Sequence, residues 1–145
     1  MNDILFNIPK RNNKNERSQI DFYEQKLNFE IDPADLYDAL KNRQHIIVID
    51  TRSAQSFAQE HIPGAINIPH RTMTVETTRH LDKSALVVAY CDGIGCNAST
   101  KGALNMVKLG FTVKELIGGI AWWKADGFVT DGEDTTIQQN IRCGC

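Results

Sequence analysis

The chain has 145 residues, 41% of them hydrophobic and 23% charged, with a formal net charge of −2. That length and mixture suit one globular domain with a sizeable core. The near-neutral balance gives no electrostatic case for nucleic acid or an anionic membrane, and no apolar run approaches the roughly 20 residues that cross a bilayer.

Met1 to Pro9 contains Ile4, Leu5 and Phe6 but no leading basic stretch, so it does not read as a signal peptide and a cytoplasmic chain is expected. Residues 1–17 are polar, with a loose basic cluster of Lys10, Arg11, Lys14 and Arg17, and read as a mobile arm. The spacing of Ile20, Tyr23 and Leu27 predicts a short helix over 18–29, capped by Ser18. Asp32 and Pro33 make a second helix start, as N-cap and first helical residue, ahead of the apolar positions Leu36, Ala39 and Leu40.

Ile46 to Ile49 is a β-branched run too short for a helix, so it reads as a buried parallel strand. It stops at Asp50-Thr51-Arg52, and Ser53 opens a helix to Gln59. His61 to Ala65 is a turn, 65–68 a short strand, and 74–81 a helix. Leu86 to Tyr90 is the second buried strand. A helix over 98–109, with Ala103, Leu104 and Val107 on one face, ends at Gly110. Val113 to Ile117 is the last strand, Gly118-Gly119 a break, and 121–126 a closing helical turn with Trp122 and Trp123 as core and rim packing. Strands alternating with helices imply an α/β architecture with a largely parallel sheet, whose ligands sit beyond the carboxyl ends of the strands. Asp50 to Arg52 and Cys91 both lie at such ends.

Cys91 follows its strand directly and opens the loop Asp92-Gly93-Ile94-Gly95-Cys96-Asn97 before the next helix. Loop amides and the positive end of that helix favour thiolate over thiol, which is the setting of a reactive cysteine. Cys96 reads equally as a resolving thiol that closes a disulfide with Cys91 or as a small filler, and it is a secondary candidate for the nucleophile itself. Cys143 and Cys145 end a polar tail, 131–145, as a Cys-x-Cys pair that can relay sulfur or stay idle. The cysteine spacings match zinc knuckles poorly, so neither metal nor cofactor is expected. Asp50 and Arg52 read as structural before catalytic. Arg71, after Pro69-His70, is expected to offer positive charge at the mouth.

Ile49-Asp50-Thr51-Arg52, Phe57, His61-Ile62-Pro63-Gly64-Ala65-Ile66-Asn67-Ile68-Pro69, Tyr90-Cys91, Leu109-Gly110-Phe111, Gly118-Gly119-Ile120, and Trp123 with Gly127 together resemble the rhodanese homology family, over about 32–129. The resemblance implies a three-layer domain with a mainly parallel five-stranded sheet over 18–130. It also implies a sulfurtransferase in which Cys91 carries a persulfide. Asp50 and Arg52 would then pair to fix the crevice, and His61 would belong to a structural turn rather than act as a base. Donor and acceptor would be a small sulfur-containing anion and a thiol, or a persulfide-exchanging protein, with no nucleic acid or membrane partner. The loop departs from the family in carrying an acid, Asp92, and no base. Asp92 is expected to point to solvent. No arginine follows Cys91 before Arg142, which ranks oxyanion reduction and phosphate hydrolysis low. The rival from another class is a non-enzymatic rhodanese module that senses oxidants or docks a partner.

Overall fold

The computed structural model describes residues 13–134. Its elements run α1 (Asn13–Phe29), β1 (Glu30–Ile31), α2 (Pro33–Lys41), β2 (Ile46–Asp50), α3 (Ala54–Gln59), β3 (Ile66–Asn67), β4 (Leu86–Tyr90), α4 (Ala98–Lys108), β5 (Thr112–Leu116) and α5 (Gly119–Ala125), with a 3₁₀ turn at His70–Thr72. The five strands form one sheet in the order β1-β5-β4-β2-β3, every pairing parallel.

β2 and β4 are central, and alternation explains their unbroken apolar runs. Val48, Val88 and Tyr90 pack on one face with Leu36, Ile120 and Trp123, while Ile49, Val87 and Ala89 pack on the other with Met106 and Phe111. With both faces covered, every apolar side chain of these strands lies in a core or packs against one. Each fully buried Ile or Val contributes about 1.5–3 kcal/mol. Trp123 is buried and donates Nε1–H to Val129 O, whereas Trp122 is 44% exposed at the rim.

The capping signals for α2 and α3 act as read: Asp32 Oδ1 accepts from Asp35 N at 2.8 Å, and Ser53 Oγ accepts from Ser56 N at 3.2 Å. Other expectations are corrected. α1 begins at Asn13, so Ser18 lies inside it and residues 13–17 belong to a helix. The two-residue strand β1 had no sequence signal of its own and exists through pairing with β5. Residues 74–81 form turns, not a helix. There Thr77 Oγ1 donates to Thr72 O, Thr78 Oγ1 to Thr74 O, and Thr74 and Thr77 bond each other, and a single helical backbone bond remains, from Thr78 N to Thr74 O.

The inward face of α4 is Ser99, Gly102 and Met106, while Leu104 and Val107 are each 54% exposed. A Cβ on Gly102 would lie 2.7 Å from Thr51 Cγ2, so small residues, not the leucine face, set the approach of α4 to β2. Among the described residues no helix is long and apolar enough to cross a membrane.

Candidate functional site

At the carboxyl end of β2, Asp50 is fully buried yet fully bonded. It accepts Arg52 Nε at 3.0 Å, Arg52 Nη2 at 2.7 Å, Arg52 N at 2.9 Å and Tyr90 Oη at 2.7 Å. Arg52 Nη2 also donates to Glu60 O at 2.6 Å, and Nη1 reaches Asp92 Oδ1 at 3.0 Å. Burial opposes the guanidinium charge, but the hydrogen bonds and negative charge of Asp50, then of Asp92, hold its pKa above the ordinary arginine value. Burial first, then the Asp50 carboxylate, pushes the Tyr90 phenol far up, so it stays a donor to Asp50 while accepting from Ile62 N. Asn67 Nδ2 ties the carbonyls of Asp50 and Arg52 from β3. Asp50 and Arg52 are thus paired as a frame between β2, β4 and the turn after α3.

β4 delivers Cys91 to the same edge. Thr51 N and Oγ1 both donate to Tyr90 O, fastening the two strand ends side by side. The start of the loop is pinned from behind by α5: Ile120 N donates to Cys91 O at 3.0 Å and Ala121 N to Asp92 O at 2.9 Å. Gly119 has φ +55, and a Cβ there would collide with the Cys91 carbonyl, so this approach demands glycine. Further along, Cys96 N donates to Gly93 O at 3.2 Å, which removes that amide from any cradle around sulfur. α4, eleven residues long, begins two residues after Cys96, and its positive end favours a thiolate nearby.

The Sγ atoms of Cys91 and Cys96 are joined as a disulfide, with the Cα atoms 6.3 Å apart. Asp92 is 69% exposed, as an outward-pointing side chain should be, but it is also ion-paired to Arg52. The loop carries no base of its own, yet a guanidinium from β2 reaches its acid.

The disulfide lines two cavities on either side of the loop. One, of about 370 Å³, is bounded by Arg52, Ser53, His70, Arg71, Cys91 and Asp92. Arg71 therefore does share the crevice with Cys91. Burial, then the charges of Arg71 and Lys101, lowers the His70 pKa below its ordinary value. The second cavity, of about 340 Å³, lies toward β5 and reaches Ser99 and Glu115.

His61 stands apart from this chemistry. Its Nδ1 is 2.7 Å from Phe57 O, its ring stacks on Phe57 at 3.9 Å, and its backbone pairs with Asp131. Cys143 and Cys145 lie outside the described residues. Cys91, Asp92 and Cys96 offer three potential metal-ligand atoms within 4.8 Å of one another, but two sulfurs bonded to each other have no thiolate to give. Nothing in the sequence analysis points to Tyr90 Oη or the Glu60 carbonyl as part of this frame. For Gly119 the signal is the glycine pair Gly118-Gly119 at the start of α5.

Residues 32–126 match the model of the Rhodanese-like domain family. The thiosulfate sulfurtransferase GlpE of Coxiella burnetii is 34% identical over 88 residues, 59% of this chain and 78% of that protein. Thiosulfate sulfurtransferase 16 of Arabidopsis thaliana is 28% identical over 57% of this chain and 77% of its own length. A transcriptional regulator of the HTH type from Mycobacterium tuberculosis is 29% identical over 65% of this chain but 42% of its own. Among solved structures, a Bacillus halodurans protein superposes with a TM-score of 0.78 at 41% identity, covering 84% of this chain and 88% of the other.

Proposed function

Because this chain belongs to the rhodanese-like domain family, we propose that it is a cytoplasmic sulfurtransferase in which Cys91 carries sulfane sulfur as a persulfide. The observation that supports this most is the position of Cys91. It sits at the carboxyl end of a central strand, on a loop leading into α4, in a cavity shared with Arg52 and Arg71. The kinship with proteins named thiosulfate sulfurtransferase fits the same reading.

The cycle starts when an external dithiol or two thiols reduce the Cys91–Cys96 disulfide. Cys91 thiolate then attacks the outer sulfur of thiosulfate. A Cys91–S–S⁻ bond forms, the sulfur–sulfur bond of thiosulfate breaks, and sulfite leaves with the electron pair. Arg71 and Arg52 draw the dianion in, and Asp92 offsets part of that charge. After protonation of the persulfide, an acceptor thiolate takes the outer sulfur and returns Cys91 as thiolate. Alternatively, Cys96 thiolate attacks Cys91 Sγ, re-forms the disulfide and expels hydrosulfide. An unassisted cysteine, with a pKa of about 8.5, is only a few per cent thiolate at neutrality, so a helix terminus beside Cys91 has a direct effect on rate.

The test is intact mass. Protein reduced with a phosphine and freed of it, then given thiosulfate, gains one sulfur that cyanide removes, and Cys91→Ser gains none. No added sulfur with thiosulfate or polysulfide overturns the reading. The disulfide itself favours a second reading, a redox-sensing or docking module, and the kinship with part of a transcriptional regulator is consistent with it. That reading predicts reversible oxidation of the pair and no sulfur adduct.

A further inference from the structure

The cavity on the β5 side of the loop has a different chemistry from the one that holds Arg52 and Arg71. It is walled by the loop, the start of α4 and the ends of β1 and β5, and it touches both Cys91 and Cys96. Its charged groups are Lys26, Glu30 and Glu115. Lys26 and Glu30 neutralise each other through a 2.8 Å ion pair. Glu115 is the register partner of Glu30 across β1 and β5, so two carboxylates stand side by side against one ammonium. Like charges opposite each other on neighbouring strands cost stability, and among the described residues no ion pair relieves Glu115.

Ser99 supplies the second observation. It is 6% exposed, lines this cavity, and its hydroxyl has no hydrogen-bond partner among the described residues. Among the described residues no fully enclosed side-chain polar atom is left unpaired, so the small exposed area of Ser99, a lining residue of this cavity, includes its hydroxyl. A hydroxyl held against a wall of this kind, at the first turn of α4, is a donor for a carboxylate.

We propose that this cavity receives the sulfur acceptor, and that the acceptor is an α-amino thiol of the cysteine class. The inference rests on the sulfurtransferase reading above. The ammonium of the acceptor faces Glu115 and Glu30, its carboxylate meets the Ser99 hydroxyl and the N-terminus of α4, and its thiolate reaches the persulfide on Cys91. The thiolate attacks the outer sulfur of Cys91–S–SH. A new sulfur–sulfur bond forms on the acceptor, the bond to Cys91 breaks, and its electron pair returns to Cys91 Sγ. The products are the acceptor persulfide and Cys91 thiolate. Donor and acceptor thus approach the same sulfur from opposite sides of the loop, an oxyanion on the arginine side and a zwitterion on the carboxylate side. At about 340 Å³ the cavity is at the small end of ligand sites, in keeping with a single amino acid.

The experiment reduces the full chain with a phosphine, removes the phosphine, charges the protein with thiosulfate, removes excess donor, and follows loss of the added sulfur by mass. L-Cysteine is compared with 3-mercaptopropionate, which keeps the carboxylate and lacks the ammonium, at equal thiolate concentration. The expected result is discharge by cysteine about tenfold faster, a ratio that shrinks at high salt and falls toward one in Glu115→Gln. Equal rates with the two thiols in the unaltered protein, or a ratio that survives in both Glu115→Gln and Glu30→Gln, overturn the assignment. The unaltered-protein comparison needs no variant to fold. If thiosulfate adds no sulfur at all, the sulfurtransferase reading falls and this inference with it. If sulfur adds but leaves without regard to the ammonium, only the acceptor assignment falls.

Discussion

Asp50 ends β2 and Cys91 follows the end of β4, its neighbour in the sheet, but they are held in opposite ways. Asp50 sits in a closed set of hydrogen bonds from Arg52 and Tyr90, with no sulfur among them. The loop after Cys91 is anchored at its first two carbonyls by α5, while its tip, Ile94, is 74% exposed and its far end is tied back by a disulfide. One wall is therefore fixed by hydrogen bonds, and the other by a bond that thiols can open. Such a division suits a site that must keep a crevice in place while its sulfur changes partners.

The comparison breaks most severely at Asp50. Asp50→Ala leaves the Arg52 guanidinium, whose side chain is 9% exposed, without its main partner and is expected to cost about 3–5 kcal/mol, read as a fall in the urea midpoint. Gly119→Ala should cost about 2–3 kcal/mol through the positive φ and the collision with the Cys91 carbonyl. Because that change displaces the start of the loop, sulfur loading should fall with it, measured by intact mass after thiosulfate. An unchanged loading rate would mean that α5 does not position Cys91.

The loop wall is sharpened by Cys96→Ser. Opening a ring between residues five apart removes about 2 kcal/mol of stabilisation, so the variant should unfold at the same urea concentration with or without reductant, while the parent should shift. The same variant should hold its added sulfur longer, because no internal thiol expels hydrosulfide; sulfide release after a single loading measures this.

A smaller effect is expected where Glu60 joins the frame to α5. Burial disfavours its charge, but hydrogen bonds from Lys124 and Thr130 outweigh that and lower its pKa below the ordinary glutamate value. Its contribution is present above the unfolded carboxylate pKa and is lost as pH falls through the depressed folded value. Glu60→Gln should therefore destabilise by up to about 1 kcal/mol near neutrality, with the gap to the parent closing on acidification in urea titrations. Asp82, exposed, is lowered to about 2 by Ser84 and His45 and should titrate well below the ordinary aspartate range by NMR.

Much of this was written in local pattern. Ile46 to Ile49 and Leu86 to Tyr90 announce themselves as doubly covered strands because β-branched and apolar runs of that length have no other stable use. Asp32-Pro33 and Ser53 mark helix starts through their own side-chain bonds. Cys91 was visible as a strand-end thiol before a glycine-bearing loop. The misreadings arose where local preference competed with something distant. The threonines at 74–78 bond one another and leave the helix. β1 borrows its hydrogen bonds from β5. The face of α4 was misjudged because close approach to Thr51 favours Gly102 over Leu104.

By itself the sequence determined the alternating strand and helix order, the parallel sheet and the edge at which Cys91 and Asp50 meet, because periodicity and caps are properties of neighbours along the chain. Tertiary structure alone decided that Tyr90 and Arg52 share one carboxylate, that Asp92 bonds Arg52, and that Ser99 and Glu115 line one cavity. Those are relations between residues tens of positions apart, set by how the elements stack, and no local pattern encodes the distance between them.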